Sequence, residues 1–207
     1  MSTREEILQR LRQNTRETYD MPDLSALNPI TYGDPVAEFI TKTTTTAGAQ
    51  LIEMQAGDDL NGIVRKIVAA LPAQGEGGGV CTLATNLPGI AADLNPDTAT
   101  VEQLEKVDVG VVRGEIGVAE NACIWIPQTM KERAICFASQ HLVITLSRQT
   151  IVNNMHEAYA RIAASQDYFK DYKFGTFISG PSKTADIEGA LVYGAQAARA
   201  LTVILTP

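Results

Sequence analysis

The sequence predicts an α/β protein with a largely parallel, partly mixed central sheet. Three observations carry this. Short apolar runs of strand length, at residues 49–54, 80–84, 107–112, 141–146 and 201–205, alternate with stretches of helical period. Most of these runs are almost wholly apolar rather than alternating, as strands buried on both faces are. Between residues 107 and 146 several short runs follow one another closely, which points to local antiparallel pairing.

The chain bounds its own partners. It has 207 residues, 45% of them apolar, enough for one domain with a sizeable core. Its 17 Lys and Arg face 24 Asp and Glu, a net charge of −7, and no basic run occurs. Nucleic acid and an anionic membrane surface are therefore not expected partners. No apolar run approaches the ~20 residues of a membrane-spanning helix. The first residues are charged and amphipathic, unlike a signal peptide, so a cytoplasmic location is expected. Cys81, Cys123 and Cys136 lie far apart with no CxxC, which argues against a disulfide framework, a zinc site or a self-contained iron–sulfur site. His141 and His156 are isolated, so no metal site is expected.

The elements follow in order. Ser2 with Glu5, or Thr3 with Glu6, forms a capping box for a helix reaching about residue 18. Ile7, Leu8 and Leu11 give it a narrow apolar face. Residues 1–20 thus read as a helical arm that packs on the domain or on a second copy, making a homo-oligomer possible; residues 30–207 read as one domain. Residues 19–32, with Pro22 and Pro29, are irregular. Asp34 followed by Pro35 starts a helix with Val36, Phe39 and Ile40 inward, and Gly48 stops it after the poor helix formers at 43–46. A strand follows at 49–54. Asp58 or Asp59 caps a helix through Ile63, Val64, Ile67, Val68 and Leu71, ended by Pro72. The glycine-rich residues 73–79 lack the lysine and setting of a phosphate loop and read as a turn. Further on come a strand at 80–84, turns at 86–89 and 95–97, the end of a short helix at 102–106 and a strand at 107–112. Residues 113–115 turn, and apolar runs flank Glu120 and Asn121. Trp125 reads as packing. Residues 134–138 and 141–146 read as strands, 151–164 as a helix and 167–173 as a polar, aromatic loop.

Residues 174–206 hold the best candidate site. They read as strand 174–178, turn 179–181, polar cluster 182–188, small-residue helix 189–200 and strand 201–205, a βαβ unit. Ser182 or Thr184 caps that helix, and its free N–H groups with Lys183 attract an anion. Asp186 and Glu188 complement the helix dipole, orient Lys183 or meet a hydroxylated ligand. Gly175 and Gly180 have the spacing of a nucleotide-binding loop, but Pro181 stands where its lysine belongs. Glu120, between apolar runs, is either a functional acid, base or nucleophile or a strand-end residue turned to solvent.

The residues GPSKTADIE at 180–188 resemble the C-terminal signature of the LUD-domain family, the lactate utilisation protein C group. Its pattern is close to G-P-S-[RK]-T-A-D-I-E, a short stretch, then G-x-H-G-P-x-x-L-x-V-I-L. Gly194 and residues 201–205 also match. Ala119 and Glu120 match a family segment ending A-E-T-G-T, whereas Asn121, Ala122 and Cys123 depart from it. Gln196, Ala197 and Ala198 replace the family's His-Gly-Pro. The resemblance implies a three-layer α/β/α sandwich similar to the sugar-phosphate isomerase and CoA-transferase superfamily. It implies a part in oxidation of L-lactate, or a related 2-hydroxy acid, to its keto acid. The chain would be an accessory subunit beside iron–sulfur partner proteins of a lactate-utilisation operon, binding no cofactor itself. Its ligand would be a small carboxylate or phosphate at Gly180, Ser182, Lys183, Thr184, Asp186 and Glu188. Two other readings stand beside this one: an independent enzyme of CoA-transferase or sugar-phosphate type using Glu120, and a non-catalytic scaffold.

Overall fold

The structure, a computed structural model, describes residues 3–15, 17, 19–20, 22–23, 27–71, 81–165, 174–187 and 189–207. Helix α1, Thr3–Asn14, stops short of residue 18 and buries none of its residues; Ile7 and Leu11 stay exposed. The domain proper begins with α2, Pro35–Thr45. The Asp34 carboxylate accepts from the N–H groups of Val36 and Ala37, both at 3.0 Å, and Pro35 has no N–H to lose. The poor helix formers from Thr43 onward are accommodated, since the helix runs to Thr45 before the chain reaches Gly48. Thr41 and Thr45 donate their hydroxyls back to the carbonyls of Ala37 and Thr41, at 2.9 and 2.7 Å, so each satisfies itself within the helix.

Strand β1, Gln50–Glu53, is followed by helix α3, Leu60–Ala70, then by β2, Leu83–Ala84, and the four-residue helix α4, Val101–Leu104. Next come β3, Val109–Arg113, and a hairpin of β4, Ile116–Val118, with β5, Ile124–Pro127. Helix α5, Ile135–Ala138, takes the place of the expected strand at 134–138. It packs Ile135 and Cys136 into the core, a role that needs an inward face rather than a ladder. Strand β6, His141–Ser147, leads to β7, Ile151–Val152, and α6, Met155–Ala164. The last helix thus starts later than expected, where the Asn154 side chain caps the Glu157 N–H at 3.0 Å. The chain ends with β8, Gly175–Ile178, a small hairpin of β9, Lys183–Thr184, and β10, Val192–Tyr193, and finally β11, Ala200–Thr206.

The central sheet is parallel throughout, in the order β1-β11-β6-β3-β2. Alternation along its strands builds a core on each face. Leu142, Ile144 and Leu146 with Leu201, Val203 and Leu205 pack under Phe39 of α2. Val109, Val111, Val143 and Ile204 pack under Val64 of α3. Helices therefore lie on both faces, which is why the strands read as continuous apolar runs. A second, mixed sheet, β7-β4-β5-β8, forms a satellite core with Trp125 against Phe177, ring centroids 4.9 Å apart. The antiparallel pairing expected after residue 107 is this sheet.

The largest departure from expectation is at residues 174–206. There is no βαβ unit: β8 belongs to the mixed sheet and β11 to the parallel one. The small-residue helix at 189–200 is absent from the described residues of that stretch. Gly189 and Gly194 take φ of 69° and 76°, and the segment folds back so that β10 pairs with β9. Gly194 N–H bonds the Ser182 carbonyl at 3.0 Å, and Ser182 N–H bonds Ala198 at 2.9 Å. Small residues that fit a helix fit a tight hairpin equally well. The expectations for residues 73–79 and 167–173, and for Glu188, fall outside the described residues.

His141 begins β6 and is buried; its Nε2 lies 2.8 Å from the Thr202 hydroxyl of β11, and its Nδ1 has no partner. Burial holds its pKa below the ordinary 6.5. Above about pH 6.5 both folded and unfolded chains carry a neutral ring, and nothing is lost. As pH falls further, the unfolded chain takes up a proton that the folded chain resists. Unfolding free energy therefore decreases as pH falls below about 6.5, and His141→Gln flattens that decrease. Equal slopes in denaturant melts of the two proteins would contradict the assignment. A backbone test concerns Gly180, whose φ is 74° and where an added Cβ would lie 2.2 Å from the Ala47 carbonyl oxygen. Gly180→Ala costs about 3 kcal/mol, from left-handed strain plus overlap. Gly89→Ala, with φ of 83° but open space, costs about 1–2 kcal/mol. Thermal melts of both variants compare the two.

Candidate functional site

The turn that carries Gly180 docks on the carboxyl end of α2. Gly180 presses against the Ala47 carbonyl, and the Lys183 ammonium donates to Ala47 and, at 3.4 Å, to Thr46. These are carbonyls left over at a helix C-terminus, and a lysine there satisfies them and complements the dipole. The electrostatic setting is thus the reverse of the one expected. The loop meets the negative end of α2, and the helix N-terminus on which the anion-site argument rested is not formed. Thr184 Oγ1 accepts from the Asp186 N–H at 3.4 Å, a local turn contact rather than a helix cap. Asp186 is exposed.

The same turn nonetheless lines a cleft of about 380 Å³. Its polar groups come from Ser182, Lys183 and Gln196, and its apolar wall includes Phe137, Phe177 and Leu201. It lies at the amino ends of β6 and β11. Lys183 spends two ammonium hydrogens on carbonyls and has no carboxylate partner among the described residues, so its charge is not neutralised. One ammonium hydrogen, the Ser182 hydroxyl and the Gln196 amide make up a donor set of the size a small carboxylate uses. Gly180 and Ser182 are therefore brought together with Lys183, while Thr184 and Asp186 do not line this cleft.

Glu120 follows β4 at the mouth of the β4–β5 hairpin. Its Oε2 accepts from the Met155 N–H at 2.9 Å, at the start of α6, and its own carbonyl accepts from the Lys42 ammonium at 3.0 Å. Glu120 is exposed rather than buried between the two apolar runs that flank it. The next residue joins it to the cleft: the Ser179 hydroxyl donates to the Asn121 carbonyl at 2.8 Å. Ala122 has φ of 56°, the left-handed region, at the place where the family pattern has glycine. An alanine there stores about 1–2 kcal/mol of strain.

The thiols are held in the protonated form. Burial pushes Cys136 up to about 12 and raises Cys81. Cys123 is raised by burial and by the Glu120 charge, against a lowering contact from Ser179. No disulfide links them. Among the described residues no group of three or more His, Cys, Asp or Glu converges, and no helix is long and apolar enough to cross a membrane.

A larger cleft, about 550 Å³, opens at the other end of the sheet, where β3, β6 and β11 finish. Arg113, Thr145, Ser147, Thr150 and Thr206 line it, with Leu60 at the start of α3. The carboxyl edge of a parallel sheet is where ligands of open α/β folds bind. Sequence reasoning passed over Arg113 as part of a turn. The available signal was a charged residue closing the apolar run that forms β3.

Three comparisons bear on kinship. A family model for the LUD domain matches residues 36–206. Lactate utilization protein C of Shouchella clausii (strain KSM-K16) is 30% identical over 96 residues, which are 46% of this chain and 42% of that protein. The match thus spans less than half the length of that relative. The crystal structure of a DUF162 family protein from Deinococcus radiodurans superposes with a TM-score of 0.63 at 17% identity, covering 86% of this chain and 100% of the other. At that identity the likeness is one of fold. The family model, by contrast, spans nearly the whole domain with both the Glu120 turn and the 180–187 turn inside it, and on that match the chain belongs to the LUD-domain family.

Proposed function

We propose that this chain serves lactate utilisation, as an accessory subunit of an assembly that oxidises L-lactate or a related 2-hydroxy acid. The observation that carries the reading is the LUD-domain match over residues 36–206, joined to the likeness with a relative named lactate utilization protein C. In this reading iron–sulfur partner proteins hold the redox clusters, and this chain holds the small acid. The cleft beside Lys183 supplies what the acid needs: a cation without a carboxylate partner, a hydroxyl donor and an amide. The substrate's carboxylate faces Lys183 and Ser182. Its 2-hydroxyl faces the Gln196 amide, which both donates and accepts. Gln196 stands where the family pattern has histidine, so a neutral hydrogen-bonding group replaces a titratable one.

Lactate and pyruvate raise the melting temperature of the wild-type protein, and Lys183→Met weakens that binding about tenfold, the worth of one charged hydrogen bond. Ser182→Ala weakens it less. An absent shift in the wild type overturns the ligand assignment. A strain lacking the chain grows slowly on lactate and normally on glucose; normal growth on lactate overturns the role itself.

A second reading has one observation behind it. The Ser179–Asn121 hydrogen bond joins the turn of Glu120 to the cleft wall, as an independent enzyme of CoA-transferase or sugar-phosphate type using Glu120 would require. The Glu120→Gln variant separates the two. Glutamine keeps an acceptor for the Met155 N–H, so stability changes by less than about 1 kcal/mol. On the lactate reading, growth and ligand response survive the substitution. Loss of a CoA-transfer or isomerase activity with unchanged melting would favour the enzyme.

A further inference from the structure

The cleft at the carboxyl ends of β3, β6 and β11 differs in chemistry from the one beside Lys183. Arg113, Thr145 and Thr206 each lie two residues beyond an apolar residue of the α3-facing core, namely Val111, Val143 and Ile204. Strand alternation therefore puts all three on the same face of the sheet, just past the point where the core ends. Arg113 is exposed, and its guanidinium has no ion pair or hydrogen bond among the described residues. The neighbouring cation, Arg148, is already paired with Glu53 at 3.0 Å. Glu115 also lines the cleft and has a partner of its own.

The hydroxyls have a fixed polarity. Thr145 donates to the Val112 carbonyl at 3.4 Å, Ser147 to Pro207 at 3.3 Å, Thr150 to Ser147 at 2.8 Å and Thr206 to Leu146 at 3.4 Å. Each donates to the backbone and keeps oxygen lone pairs, of which Ser147 Oγ already uses one to accept from the Gln149 N–H at 3.3 Å. Helix α3 begins at the cleft with Leu60, and its Asp59 side chain makes no capping hydrogen bond. The Asp59 carboxylate nevertheless lies against the first turn, 2.7 Å from where a Cβ on Gly62 would stand, so the charge that awaits an anion here is that of Arg113.

We propose that this cleft is a second binding site, for a small polyhydroxylated anion. The carboxylate or phosphate head pairs with the Arg113 guanidinium, whose planar fork suits either. The hydroxyls of the ligand donate to Thr145, Ser147, Thr150 and Thr206. A volume of about 550 Å³ accommodates a molecule larger than lactate, within the range of ordinary ligand pockets. The site is separate from the cleft beside Lys183, and the proposal stands or falls independently of the lactate reading.

Calorimetric titration of the full chain tests it with glycerate and gluconate as carboxylate probes, glycerol 3-phosphate and glucose 6-phosphate as phosphate probes, and glucose as the neutral control. At least one hydroxylated anion binds, glucose does not, and Arg113→Met weakens binding about tenfold or more. Thr145→Val weakens it severalfold with Arg113 intact, as loss of one acceptor does. Lys183→Met leaves it unchanged. The carboxylate and phosphate series identify the head group. No binding by any probe, or equal binding by wild type and Arg113→Met, overturns the proposal. The Arg113 side chain has no hydrogen bond or ion pair among the described residues, and a thermal melt verifies that Arg113→Met remains folded.

Discussion

The structure depends on where its last strand goes. Strand β11 enters the interior of the parallel sheet, between β1 and β6, rather than adding to an edge. Leu201, Val203 and Leu205 fill the core under α2, and Ile204 fills the core under α3. Thr202 is buried between the two neighbours, beside His141 on one side and Gln50 on the other. Strands β1 and β6 are thus bridged by β11. Until that end is in place, both flanking strands expose unpaired ladder groups, a large loop-closure cost met late in folding.

The segment just before β11 has its own constraint. A helix C-terminus leaves carbonyls that need donors. In α2 those carbonyls are met by the Lys183 ammonium, while Gly180 lets the turn come close enough for the contact. Lysine and glycine in the GPSK turn therefore have structural duties apart from any ligand. The two roles are compatible: an ammonium group has three hydrogens, and carbonyls do not cancel its charge as a carboxylate would. Glu120 has a similar double character, since its carboxylate caps the start of α6 while its turn borders the cleft.

Two clefts at opposite ends of one sheet differ in electrostatics. The amino-end cleft has one lysine, engaged with backbone carbonyls. The carboxyl-end cleft is rimmed with hydroxyls and has an arginine with no partner among the described residues. The parallel strands explain the difference. At their carboxyl ends the chain leaves the core and turns into α3 and the connecting loops, so polar residues can follow directly on buried apolar ones. At their amino ends the chain arrives from α5 and from the β9–β10 hairpin, which still contribute to the core through Cys136 and Ala198.

What the sequence determined by itself was the class and the buried strands of the parallel sheet. Apolar runs such as those of β3, β6 and β11 are long and continuous because both faces are covered, and burial of that kind leaves a composition that survives any arrangement. The Asp34–Pro35 start of α2 was legible for the same reason, since a cap acts on its own neighbours. Only the tertiary structure decided which runs pair. Strands 174–178 and 201–205 look like halves of one unit, yet long-range pairing sends β8 to Trp125 and β11 to His141. It also decided the fate of residues 189–200, whose small side chains suit a helix or a hairpin, and whose choice is set by contacts with Ser182. Arg113 shows the same limit at the candidate site. Its charge was in plain view, but the hydroxyls that make a cleft around it come from two strands and a turn that only the fold brings together.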